Sequence, residues 1–170
     1  MWVFDATPLI YLAKAEHLEL IDHIDEPCAI PEPVYEEVVD TGIERGYPDA
    51  RRIERAVEND VFDVVDAGET ALAERLQDNE NLSDADISVL AYADAHDAVA
   101  VMDETYGRDV AATEEIPTRG TAFLVLRLVK RGVIGADEAR ETVDAMLDAG
   151  WYCAPDVYAA ILRKLDSLPK

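Results

Sequence analysis

Positive charge is what this 170-residue sequence has least of: 15 Lys and Arg stand against 37 Asp and Glu, a formal net charge of −22. Only four of the fifteen are lysines, Lys14, Lys130, Lys164 and Lys170. Such a field repels nucleic acid, membranes and other polyanions at ordinary salt. The cost falls in molar salt, where the Debye length shrinks to about 3 Å, so an acid-rich, lysine-poor surface reads as halophilic. Cysteine is as sparse. Cys28 and Cys153 lie far apart with no Cys-x-x-Cys or Cys/His spacing, which signals neither a zinc site nor a disulfide framework and suits reduced thiols in a cytoplasm. His17, His23 and His96 show no ligand spacing either. No apolar run approaches the roughly 18 residues that cross a bilayer, and Met1-Trp2-Val3-Phe4-Asp5 has no basic leader; a cytoplasmic protein with no membrane partner is expected. Eight Gly and eight Pro are scattered without period, so collagen-like, linker-rich and solenoid classes drop out.

What the chain does have is 49% hydrophobic residues, enough for the core of one domain spanning 1–170. Short apolar runs at 2–6, 28–30, 61–65 and 98–102 read as strands, with a weaker one near Ile116. Helical spacing fills the intervals: from Thr7-Pro8, from Pro33 at a first helical turn, over 46–59, 69–77, 83–95 and 105–112. Ser83 and Asp86 fit the N-cap and N3 positions of a capping box with Asp in place of Glu. Three further helices follow at about 120–131, 136–149 and 155–166, separated by Gly132, Gly150 and Pro155. Strands alternating with helices, apolar throughout, predict a three-layer α/β/α sandwich around a parallel sheet, with a helical C-terminal region from about 120.

In such a sheet ligands bind outside the carboxyl ends of the strands, so the residues at those ends carry the functional reading. Asp5 ends the first run with Thr7 just beyond, Asp103-Glu104 end the fourth, Asp84 and Asp86 open a helix, and Glu36-Glu37 follow the second run. Four segments thus bring carboxylates toward one place without compensating Lys or Arg. Like charges at close range raise one another's pKa unless a cation sits among them, and oxygen-only ligands suit Mg²⁺ or Mn²⁺. Acidity alone proves little in a chain more than one-fifth Asp and Glu. Asp5 is the more informative acid because it interrupts an apolar segment where a structural strand prefers a hydrophobe. For Asp86, helix capping competes with metal binding.

These residues carry a resemblance. Val3-Phe4-Asp5-Ala6-Thr7-Pro8-Leu9-Ile10 resembles the opening of PIN domains, and Ile30–Val39, with Glu37 before two apolar residues, resembles their second acidic segment. Ser83–Ala91 is similar to the Gly-Glu-Ala-Glu-Ala-Ile-Ala-Leu-Ala segment of one PIN subgroup, with Ser for Gly and Asp for both Glu. Val101-Met102-Asp103-Glu104 through Gly107-Arg108 resembles its Asp-Asp and Gly-Arg segment, and Thr118–Gly132 and Trp151–Leu162 its C-terminal helices. The resemblance implies a Mg²⁺- or Mn²⁺-dependent ribonuclease, often the toxin of a toxin–antitoxin pair, with an RNA substrate, a small antitoxin protein and a homodimer as partners. It implies Asp5, Glu37, Asp86 and Asp103 as catalytic acids and Asp5, Asp84, Asp86, Asp103 and Glu104 as metal ligands, with the choices within Glu36/Glu37 and Asp103/Glu104 open.

Basic residues should mark where RNA lies. Thr7, Arg108 and Arg119 are the substrate-binding candidates, and Arg127, Lys130 and Arg131 share one helical face. The competing function is a PIN fold that keeps its acids but only binds RNA or a protein. A receiver-type phosphoacceptor is disfavoured because no Lys lies between Lys14 and Lys130, a haloacid-dehalogenase-like phosphatase because residue 7 is Thr, and a P-loop nucleotidase because its glycine-rich loop is missing. Asp5, Asp86 and Asp103 are expected to converge, with Glu37 and Asp84 lining the same cleft.

Overall fold

The computed structural model describes residues 1–168; Pro169 and Lys170, the end of the expected domain, lie outside the described residues. Five short strands, β1 (Trp2–Phe4), β2 (Cys28–Pro31), β3 (Asp63–Val65), β4 (Val99–Val101) and β5 (Thr118–Arg119), form one sheet in the order β3-β2-β1-β4-β5. Every pair is parallel. The chain steps outward from β1 to β3, then returns across β1 to β4, so the strand order reverses between β1 and β4. That reversal opens a crevice at their carboxyl ends. The register levels those ends: Phe4 lies opposite Val101, and Val101 opposite Arg119. Asp5, Met102-Asp103-Glu104 and Gly120-Thr121 therefore leave the sheet side by side.

Right-handed crossovers place the helices after β1 and β2, α1 (Ala6–Lys14) and α4 (Pro48–Glu58), on one face and α6 (Asp84–His96), before β4, on the other. The α6 helix packs on β1, β2 and β4, and both α2 (Glu32–Tyr35) and α5 (Ala71–Leu76) pack on α6. Opposite, α1 packs on α4 and α9 (Ala136–Asp148), and α8 (Thr121–Lys130) on α9 and α10 (Pro155–Ser167). Between them one core gathers Phe4, Leu9, Leu12, Ile30, Leu90 and Leu124, all essentially inaccessible. Phe4 meets Phe62 edge to face with centroids 5.1 Å apart, a geometry that adds about 1 kcal/mol to the area buried. The fold is the α/β/α sandwich that the alternating pattern predicts.

Three features depart from that pattern. β3 lies at the sheet edge with Asp63 and Val64 exposed, so it is not buried on both faces. Leu18–Ile24 forms a 3₁₀ helix that buries Leu18, Ile21 and Ile24. After α2 the chain continues as a π-helical stretch, Glu36–Thr41, and then α3 (Gly42–Glu44). A remaining short helix, α7 (Thr105–Thr113), follows β4. Both cysteines are free, and burial pushes the Cys28 thiol up to about 12, which keeps it protonated and inert. Among the described residues no helix is long and apolar enough to cross a membrane.

Candidate metal centre

Asp5 follows β1 directly, and its N–H donates to the Val101 carbonyl at 3.0 Å, extending the central ladder one rung. That rung holds the side chain in the crevice with only 7% exposure. Burial raises its pKa from 3.8 to about 7, with Asp86 the next cause; Glu37 and Glu104 add to the rise, and the Ala6 N–H works against it. Glu37 is raised too, by burial and by Asp86. Asp5, Glu37, Asp86 and Glu104 thus act on one site from four segments. Among the described residues none of them forms an ion pair with Lys, Arg or His.

Asp86 is held there by the start of α6. The Ser83 hydroxyl accepts the Asp86 N–H at 3.1 Å, and Asp86 Oδ2 accepts the Ser83 N–H at 2.9 Å. This is the capping box the sequence predicts, and it occupies one carboxylate oxygen. Asp84 lies two residues earlier, about 200° around the helix. It lines a separate cleft of about 260 Å³ with Glu32, Glu36, Asp66 and Ser88. Glu37 acts on Asp5, while Glu36 and Asp84 line the other cleft.

Asp103 and Glu104 also part. Asp103 Oδ1 accepts the Thr121 N–H at 2.7 Å, and Oδ2 accepts the Thr121 hydroxyl at 2.6 Å and the Trp151 indole N–H at 3.2 Å. Both its oxygens take part in joining β4 to the start of α8 and to Trp151, with one acceptor site of Oδ1 left over. Glu104 is among the acids that raise Asp5. Gly120 permits this junction: a Cβ there would come within 3.0 Å of Asp103 Oδ1 and 3.4 Å of Arg108 Nη1. Arg108 thus reaches the same corner. Arg119 turns elsewhere, donating to the Thr118 carbonyl at 2.7 Å and lying 5.0 Å over the Phe123 ring.

Beside these acids a cleft of about 490 Å³ is lined by Thr7, Asp103, Glu104, Tyr106, Trp151 and Tyr152. Thr121, Trp151 and Tyr152 carry no role in the sequence reading. Gly120-Thr121 ahead of the apolar run 122–126 marks a helix start, but not the carboxylate that Thr121 would meet. Among the described residues no three His, Cys, Asp or Glu side chains already stand as a coordinating group. The site nonetheless fits a hard divalent cation in its chemistry: its donors are carboxylate oxygens, its most buried acid is raised to about 7 by burial and then by its acidic neighbours, and among the described residues none of these acids is ion-paired.

A family model described as DUF3368: PIN domain matches residues 1–167. None of the curated proteins matches the chain. A solved structure, VapBC2 from Rickettsia felis bound to a DNA fragment from their promoter, is similar at 16% identity with a TM-score of 0.48, covering 71% of this chain and 98% of that one. With the model matched over almost its full length, this chain belongs to the PIN-domain family.

Proposed function

We propose that the chain is a Mg²⁺- or Mn²⁺-dependent endoribonuclease. The observation that carries this reading is the buried Asp5 carboxyl, raised to about 7 among Asp86, Glu37 and Glu104 with no basic partner. Asp5, Asp86 and Glu104 would hold the cation. When bound, it supplies Lewis-acid stabilisation of charge developing on the phosphate and a water of lowered pKa. Asp5 releases its proton near neutral pH, Glu37 at the exposed rim accepts a hydrogen bond from the attacking water, and Thr7 donates its hydroxyl to a phosphate oxygen. Arg108 contacts the phosphate next along the strand. Tyr152, 84% exposed, and Tyr106, 38% exposed, offer ring faces to bases in the cleft. Asp103 is a positioning residue here, and Asp84 and Arg119 stand outside the reacting centre. A toxin role, a small antitoxin partner, a homodimer and a cytoplasmic setting belong to the same proposal through the family resemblance.

The test is cleavage of a quenched single-stranded RNA in concentrated KCl. Wild type should cut with Mn²⁺ and stop on adding EDTA, and Asp5→Asn should lose at least about 100-fold in rate, the scale of losing a metal ligand or the charge that stabilises the transition state. The second reading, a non-catalytic RNA- or protein-binding PIN fold, draws on the structural duties of Asp103 and of one Asp86 oxygen. Intact RNA across Mg²⁺ and Mn²⁺, with binding retained in Asp5→Asn, decides for it.

A further inference from the structure

Away from the acids, α8 and α10 enclose a groove of about 260 Å³ lined by Phe123, Leu126, Arg127, Lys130, Lys164 and Leu168. No acid lines it, in a chain where 37 of 170 residues are Asp or Glu. Two of the four lysines are here, and among the described residues Arg127, Lys130 and Lys164 take part in no ion pair. Five other arginines, Arg51, Arg52, Arg75, Arg131 and Arg140, do. Arg127 lies 5.8 Å over the Trp2 ring, and its Nε is buried without a hydrogen-bond partner, an arrangement that leaves a donor unsatisfied.

From this we infer that the α8–α10 groove is a docking site for an acidic, amphipathic segment of a partner protein. The apolar side chains of that segment fill the floor between Phe123, Leu126 and Leu168, and its carboxylates meet Arg127, Lys130 and Lys164. Charge complementarity at contact range selects this occupant: three cations line the groove with no acid among them, so carboxylates find partners there, and salt screens the −22 field that repels anions at a distance. The volume lies below the usual range of small-molecule pockets, about 300–1,000 Å³, and suits one or two anchoring side chains of a helix laid between two helices. A nucleic acid strand fits less well, because the Phe123 ring is already engaged by Trp2, with centroids 6.1 Å apart, and by Arg119, leaving it poorly placed to stack a base. The inference stands apart from the nuclease reading, since none of these residues belongs to the acid cluster.

The probe is a fluorescein-labelled Glu/Leu peptide with leucines at helical i, i+3 and i+4 spacing, followed by anisotropy in about 0.5 M KCl, where the net field is screened, against wild type and Lys130→Glu/Lys164→Glu. Both lysines are exposed, so the double variant should keep the wild-type circular dichroism spectrum. Wild type should bind at least roughly tenfold more tightly than the variant, and a peptide with alanine for leucine should lose binding as well. Equal affinity for wild type and variant overturns the proposal. So does tighter, lysine-dependent binding of a labelled single-stranded RNA, or a concentration-dependent dimer of the chain alone that the double substitution abolishes; these would assign the groove to RNA or to a second copy.

Discussion

Because Asp5 is held near a pKa of about 7 against an ordinary 3.8, the folded chain binds a proton there that the unfolded chain has already lost at intermediate pH. Stability therefore falls as pH rises from about 4 to about 7, and the full penalty, on the order of 4 kcal/mol, persists above that window. Asp5→Asn removes the titration. In EDTA the variant should melt about 8–16 °C above wild type at pH 8 and level with it near pH 4; a gap of equal size at both pH values would refute the assignment. Mn²⁺ should raise the melting temperature of wild type at pH 8 and leave that of Asp5→Asn unchanged. The neighbouring acids at the β4 exit separate in the same way. Asp103→Asn places an amide N–H₂ against either the Thr121 backbone N–H or the Trp151 indole N–H, depending on its orientation, and should cost about 2–3 kcal/mol with a shift in tryptophan fluorescence. Glu104→Gln should change stability by less than about 0.5 kcal/mol while RNA cleavage collapses. The sequence displays Asp103-Glu104 as a pair but not their division of labour, because that is decided by Thr121, 18 residues further on.

At the level of elements, what the sequence discloses is what local chemistry controls. The start of α6 is legible because Ser83 and Asp86 satisfy each other's backbone within one turn, and β1, β2 and β4 are legible as apolar runs. The π-helical stretch Glu36–Thr41 is not, since a change of hydrogen-bond register leaves no residue signature and arises from tertiary packing. Yet it carries Glu37, so part of the candidate site rests on an element that composition does not announce. Its far end is pinned by a close approach: a Cβ on Gly42 would lie 2.7 Å from the Ala50 Cβ of α4. Gly42→Ala should force α3 off α4 and destabilise by about 1–3 kcal/mol. Denaturant melts would show it, and an unchanged midpoint would mean that this helix pair yields freely.

Over the whole molecule, self-repulsion among the acids governs the electrostatics. The five Arg–carboxylate pairs among the described residues each have at least one well-exposed partner and offset little of a net −22. Screening does more: raising KCl from about 0.1 M to about 2 M collapses the Debye length from near 10 Å to under 3 Å, and the melting temperature should climb by about 5–10 °C. A monotonic fall with KCl would remove the halophilic explanation of the surface. The fold also keeps time. Asp5 donates its N–H into the central ladder, between strands paired on both sides, where no local fraying exposes it. In heavy water that amide should be among the last to take up deuterium, its rate following global unfolding and quickening with pH beyond the intrinsic chemistry as the Asp5 side chain ionises. One of the protein's slow isotope clocks is thus wound by the same residue whose charge it would report.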